Sequence, residues 1–121
     1  MVAEDDASMR ELLVEALARD GYDVVEAKDG VQLLLGLEEI CLRGPEAVIP
    51  DLIVSDIRMP GHTGLELLQA MRDADIHLPV VLITAFSDGA TRERAERAGA
   101  VLLDKPLDLD DLRKVVRGMM P

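Results

Sequence analysis

The stretch LIVSDIRMPGHTGLELL, residues 52–68, opens on an apolar run, ends that run near an acid and then turns into an amphipathic segment. Leu52-Ile53-Val54 does not alternate with polar residues, as expected of a strand covered on both faces. Leu67, Leu68 and Met71 recur at helical spacing behind Thr63 and Glu66, which are placed to cap a helix. Between the two segments, Asp56 stands where a buried strand would emerge at a sheet rim. Met59-Pro60-Gly61 supplies a bend. The stretch therefore predicts one strand–helix unit with a carboxylate at its junction.

The same unit recurs along the chain. Further strands are predicted at Met1-Val2-Ala3, Tyr22–Ala27, Pro79–Ile83 and Ala100–Leu103. Met9, Leu12, Leu13, Ala16 and Leu17 form a helical stripe, with Ser8 and Glu11 as a candidate capping box and Gly21 as a stop. Leu112, Val115, Val116 and Met119 form another near the end. Strands alternating with helices, joined by right-handed crossovers, give a parallel sheet with helices on both faces. The predicted class is α/β: a (βα)5 flavodoxin-like three-layer sandwich whose five strands run in the order 2-1-3-4-5. Two segments fit less simply. The span from Asp29 to Asp56 is long for one helix and one strand, predicting either a long second helix or an extra loop, with a break at Arg43-Gly44-Pro45. Residues 88–98, DGATRERAERA, offer only Ala90, Ala95 and Ala98 to an apolar face, so a helix there packs thinly.

Composition narrows the function. The chain has 121 residues, one domain's length, enough to bury roughly two-thirds of its unfolded surface. A formal charge of -11 argues against nucleic acid or anionic lipid as a direct partner, since both are held by lysine and arginine. No apolar run is long enough to span a membrane and no signal peptide is evident. The single cysteine, Cys41, reads as a buried, inert thiol in a reducing, cytoplasmic setting. With one Tyr, one Phe and no Trp, stacking partners for flat ligands are scarce. His62 and His77 read as surface histidines, Met59 as a packing residue, and Arg92, Arg94 and Arg97, interleaved with Glu93 and Glu96, as a solvated helix face.

The chemistry collects at the carboxyl ends of the strands. Strand 1 runs into Glu4-Asp5-Asp6, strand 3 into Asp56, strand 4 into Thr84 and strand 5 into Asp104-Lys105-Pro106. In the order 2-1-3-4-5 the acids of strands 1 and 3 meet, with a hydroxyl and an ammonium arriving from strands 4 and 5. Crowded carboxylates repel unless a cation intervenes, and an all-oxygen donor set suits Mg2+ better than Ca2+ or Zn2+. Asp6 is also placed simply to cap the following helix. An aspartate beside such a cation can act as a nucleophile toward phosphorus, with a lysine balancing charge and a nearby hydroxyl reporting the product.

These residues resemble the receiver domain of bacterial two-component response regulators. The resemblance rests on EDDASMRELL, AKDG, SDIRMPGHTGLELL, VVLITAFSD, AGA and DKPL, in that order over nearly the whole chain. It implies one receiver domain over residues 1–121, with Asp56 as phosphoacceptor, Thr84 as switch hydroxyl and Lys105 as the phosphoryl contact. The Lys105-Pro106 bond is commonly cis in such domains. For the Mg2+ site it implies Asp5 and Asp56 as direct ligands, the Arg58 backbone carbonyl as another, and Glu4 acting through water. Counting back from Arg10 selects Glu4-Asp5 as the acidic pair. A sensor histidine kinase or phosphotransfer protein is the implied donor, and a downstream effector protein or domain the implied target. Phosphorylation-linked homodimerisation is compatible with it. The implied role is a switch that changes its surface around helix 4, strand 5 and helix 5, and not an enzyme. Two other readings are compatible with the same acids: a Mg2+-dependent phosphatase or phosphotransferase with an aspartyl nucleophile, and a pseudo-receiver binding module that is never phosphorylated. Leu102 stands where the family usually carries an aromatic residue.

Overall fold

A computed structural model of the chain describes residues 1–43, 49–59, 63–85 and 88–120, and at residues 40 and 41 the backbone only. The elements follow as β1 (Val2–Ala3), α1 (Ala7–Arg19), β2 (Glu26–Ala27), α2 (Gly30–Arg43), β3 (Ile53–Asp56), α3 (Gly64–Asp73), β4 (Val80–Thr84), α4 (Gly89–Arg97), β5 (Val101–Asp104) and α5 (Leu109–Met119). The strands form one parallel sheet in the order β2-β1-β3-β4-β5. The (βα)5 architecture and strand order predicted from the sequence are those observed.

Successive strand residues feed opposite layers. Ala3, Ile53, Val80 and Leu82 pack against α2, α3 and Ala95 of α4, whereas Val2, Val54, Val81 and Ile83 pack against α1 and α5. That double coverage is why β3 and β4 carry no polar alternation until their last residues. On the second layer Arg113 of α5 also grips Asp20, the C-cap of α1, through two hydrogen bonds of 2.9 and 2.6 Å. Among the described residues no helix is long and apolar enough to cross a membrane.

Several boundaries differ from the sequence reading, each for a local reason. β3, β4 and β5 end one or two residues later than expected, so Asp56, Thr84 and Asp104 are the terminal residues of their strands. Pairing carries on past the apolar runs because the neighbouring strand still offers acceptors: Ile57 N–H donates to Ile83 O at 2.9 Å and Lys105 N–H to Thr84 O at 2.7 Å. β2 is shorter than the Tyr22–Ala27 run because it is an edge strand; Tyr22 and Val24 pack on the α1–α5 layer instead. Asp6, not Ser8, caps α1, accepting Met9 N–H at 3.0 Å. The cap at Thr63 is as expected, with Glu66 N–H donating to its hydroxyl at 3.1 Å, and Gly21 ends α1's turn with a φ of 91°. The long span after Asp29 is largely helix: α2 runs to Arg43, where a break was expected. Residues 88–98 are helical, and of the three alanines only Ala95 is buried. The side chain of Cys41, the Pro60-Gly61 bend and His62 lie outside the described residues.

Candidate functional site

Glu4, Asp5 and Asp56 meet at the carboxyl rim of the sheet because β1 and β3 are neighbours, paired Val2 to Val54 and Ala3 to Ser55. One oxygen from each carboxylate lies within 4.8 Å of the others. Glu4 is 1% exposed and Asp56 4%, while Asp5 faces solvent. Asp56 is held on both oxygens. Arg58 N–H donates to Oδ1 at 2.9 Å, and Lys105, arriving from the end of β5, places Nζ 2.5 Å from Oδ2. The Lys105-Pro106 bond is cis. Thr84, 2% exposed, ends the intervening strand and is tied by its carbonyl to the Lys105 N–H.

The electrostatics of the cluster are unbalanced. Glu4 is pushed from an ordinary value of 4.5 up to about 7, first by burial and then by the Asp56 carboxylate beside it. Burial alone would lower the Lys105 ammonium, but Asp56, Glu4 and Asp5 together outweigh it and hold its pKa above the ordinary value. One lysine faces three carboxylates. Glu4 Oε1 accepts the Asp6 N–H at 3.2 Å, whereas Oε2 is buried with no hydrogen-bond partner. A buried, unpartnered carboxylate oxygen aligned with two further acids is what a hard divalent cation would satisfy, and the donors are all oxygen. The residues present thus fit such a cation.

The residues expected at the rim are therefore there: Glu4, Asp5, Asp56 and Lys105 form one cluster, and Thr84 lies on the strand between Asp56 and Lys105. Glu4 rather than Asp5 is the sequestered acid of the pair. Asp6 turns away to cap α1. Met59 is buried in the core as a packing residue, and His77 is exposed beside Asp75. Arg97 pairs with Glu93 along the helix face as expected. Arg92 does not stay on that face: it crosses to Asp104 of β5 at 3.0 Å.

Two further residues shape the site without being among those expected from sequence. Gly64 opens α3 so close to the end of β3 that a Cβ there would stand 2.6 Å from Asp56 O and 3.0 Å from Ser55 Oγ. Its N–H donates to Ile57 O at 2.8 Å. Only glycine lets the helix start abut the end of β3, and the available signal was a poor helix former directly behind the Thr63 cap. The other is Arg10, whose guanidinium donates to the Glu4 carbonyl at 2.8 Å.

The response regulator receiver domain family model matches residues 1–117. The chain is 29% identical to sporulation initiation phosphotransferase F of Bacillus subtilis, covering 100% of this chain and 92% of that protein. It is 37% identical to the DNA-binding transcriptional regulator NtrC of Escherichia coli over 91% of its own length but 22% of that protein's. The receiver domain of Francisella response regulator 1452 superposes with a TM-score of 0.85 at 26% identity, covering 98% and 92% of the two chains. Sequence, fold and rim agree: the chain belongs to the response regulator receiver domains, the phosphorylation-dependent signalling switches of two-component systems.

Proposed function

We propose that Asp56 is the residue phosphorylated, with a partner's phosphohistidine as donor. The observation that carries this is the double hold on a buried carboxylate: a backbone N–H on Oδ1 and the Lys105 ammonium on Oδ2. A free Asp56 oxygen lone pair attacks phosphorus, the P–N bond of the phosphohistidine breaks as the P–O bond forms, and the electron pair returns to the departing imidazole. Lys105, the nearest cation, follows the phosphoryl oxygens and offsets their charge. Arg58 N–H keeps the carboxylate oriented. Glu4, Asp5 and Asp56 would hold Mg2+, with the Arg58 carbonyl as a further donor; when bound, the ion supplies charge stabilisation to the transferred oxygens.

Thr84 would read the product, its hydroxyl turning toward the phosphoryl group. Because the Thr84 carbonyl receives the Lys105 N–H, the ends of β4 and β5 respond together, and α4, the thinly packed helix between them, is the element displaced. A sensor histidine kinase or phosphotransfer protein is the donor this chemistry requires, in the cytoplasm, and an effector protein or domain reads the α4–β5–α5 surface. A phosphatase with an aspartyl nucleophile lacks its general acid here, because Arg58 stands two residues after Asp56.

Incubation with acetyl phosphate or beryllofluoride, with and without Mg2+, tests the reading by intact mass. One slowly hydrolysed, Mg2+-dependent adduct that disappears in Asp56→Asn is expected. An adduct that persists in Asp56→Asn, or rapid turnover of many phosphoesters, overturns it.

A further inference from the structure

The turn between β1 and α1 is held from behind by a residue that touches neither the acceptor nor a phosphoryl group. Arg10, at the end of the first turn of α1, has a side chain only 12% exposed. Its Nη1 donates to the Glu4 carbonyl at 2.8 Å and its Nε lies 3.3 Å from Glu26 Oε1, at the start of β2. Glu4 N–H meanwhile donates to Ala27 O of the same strand at 3.1 Å. Both backbone polar groups of Glu4 are therefore referred to β2, one directly and the other through the guanidinium. Asp5 is caught between this anchored residue and Asp6, which is pinned as the cap of α1. A planar fork can bond two acceptors on different elements at a fixed angle; an ammonium on a flexible stem cannot reproduce that geometry.

We propose that Arg10, braced by Glu26, is a positioning residue that sets the β1–α1 turn so that Glu4 and Asp5 converge on Asp56, and thereby sets the divalent-cation affinity of the site. The inference rests on the Mg2+ reading of those three acids. Its sign separates it from plain electrostatics. A cation beside the cluster repels Mg2+, so if Arg10 acted only through its charge, Arg10→Met would tighten Mg2+ binding and Arg10→Lys would leave it unchanged. A positioning role predicts that both substitutions weaken it.

Calorimetric titration of Mg2+ into the parent protein, Arg10→Met and Arg10→Lys decides, with circular dichroism confirming that each variant is folded. Weakening by about tenfold in Arg10→Met is expected, the usual scale for removing a group that orients metal ligands. Arg10→Lys should weaken binding by a smaller factor. Either variant binding as tightly as the parent, or tighter, overturns the proposal, and should Arg10→Met not fold, Arg10→Lys decides alone. Absence of Mg2+ uptake by the parent would instead overturn the cation reading itself.

Discussion

α5 and α4 flank the same edge strand, yet they are attached to the molecule by different physics. α5 buries Leu112 and Val116, at 0% and 2% exposure, supported by Val115, Met119 and Met120. α4 buries Ala95. Burying a Leu or Val side chain contributes about 1.5–3 kcal/mol, against roughly 0.8 kcal/mol per buried methylene-sized group for an alanine. What fixes α4 instead is directional. Arg72 of α3 donates to the Ala98 carbonyl at α4's C-cap at 2.7 Å, and to Ile76 and Leu78 carbonyls at 2.7 and 3.0 Å, while Arg92 reaches Asp104. A helix held by packing leaves its place only when the core opens. A helix held by a few polar contacts at its ends can move without disturbing the core, which is what a switch element requires.

The contrast is most exposed at Leu112. Leu112→Ala should lower global stability by about 2–5 kcal/mol in urea unfolding, and a loss under about 1 kcal/mol would place α5 in the same class as α4. Next comes the clamp on α4. Arg72→Met removes three hydrogen bonds from a charged donor and should cost about 1–3 kcal/mol. Hydrogen exchange would show the α4 amides exchanging faster with those of α5 unchanged; equal acceleration in both helices would mean the two are not independent.

The rim offers a third test, because its tension is electrostatic and not a matter of packing. Glu4 titrates near 7 in the folded protein against an ordinary 4.5, so between those values the folded state holds a proton that the unfolded state has released. Stability of the cation-free protein should fall as pH rises through this window, and Glu4→Gln should remove that slope. On the proposed Mg2+ reading the ion displaces the same proton, so below pH 7 its apparent affinity should drop by about tenfold per pH unit, roughly 1.4 kcal/mol each. A pH-independent affinity would mean Glu4 takes no part in holding the ion, directly or through water. The smallest effect belongs to Arg92→Met: its partner Asp104 is exposed, and such pairs contribute under about 1 kcal/mol. A larger loss by thermal unfolding would make Arg92 a main anchor of α4 and narrow the difference between the two helices.

Much of this was legible in the residues alone. Continuous Val, Ile and Leu runs at 52–54 and 80–83 read as doubly covered strands, and Leu112, Val115, Val116 and Met119 as a buried stripe, because both periods are local consequences of strand and helix geometry. The acids at 4, 5 and 56 and the lysine at 105 read as one rim because strand order brings carboxyl ends together. The thinness of α4 was visible in its alanines. Less legible were the termini of β3, β4 and β5, since whether a polar residue stays in a ladder depends on the acceptor opposite it.

The order of residues is enough to specify the alternation of strands and helices, the cap at Thr63, the stop at Gly21 and which residue types crowd the carboxyl rim, all of them set by neighbours within a few positions. It took contacts between elements to establish that Glu4 and not Asp5 is sequestered, that Arg10 answers to Glu26, that Gly64 is pressed against the end of β3, and that Arg72 holds the far end of α4. Each depends on where a side chain meets a backbone atom or carboxylate on another element, and no periodicity along the chain encodes that meeting.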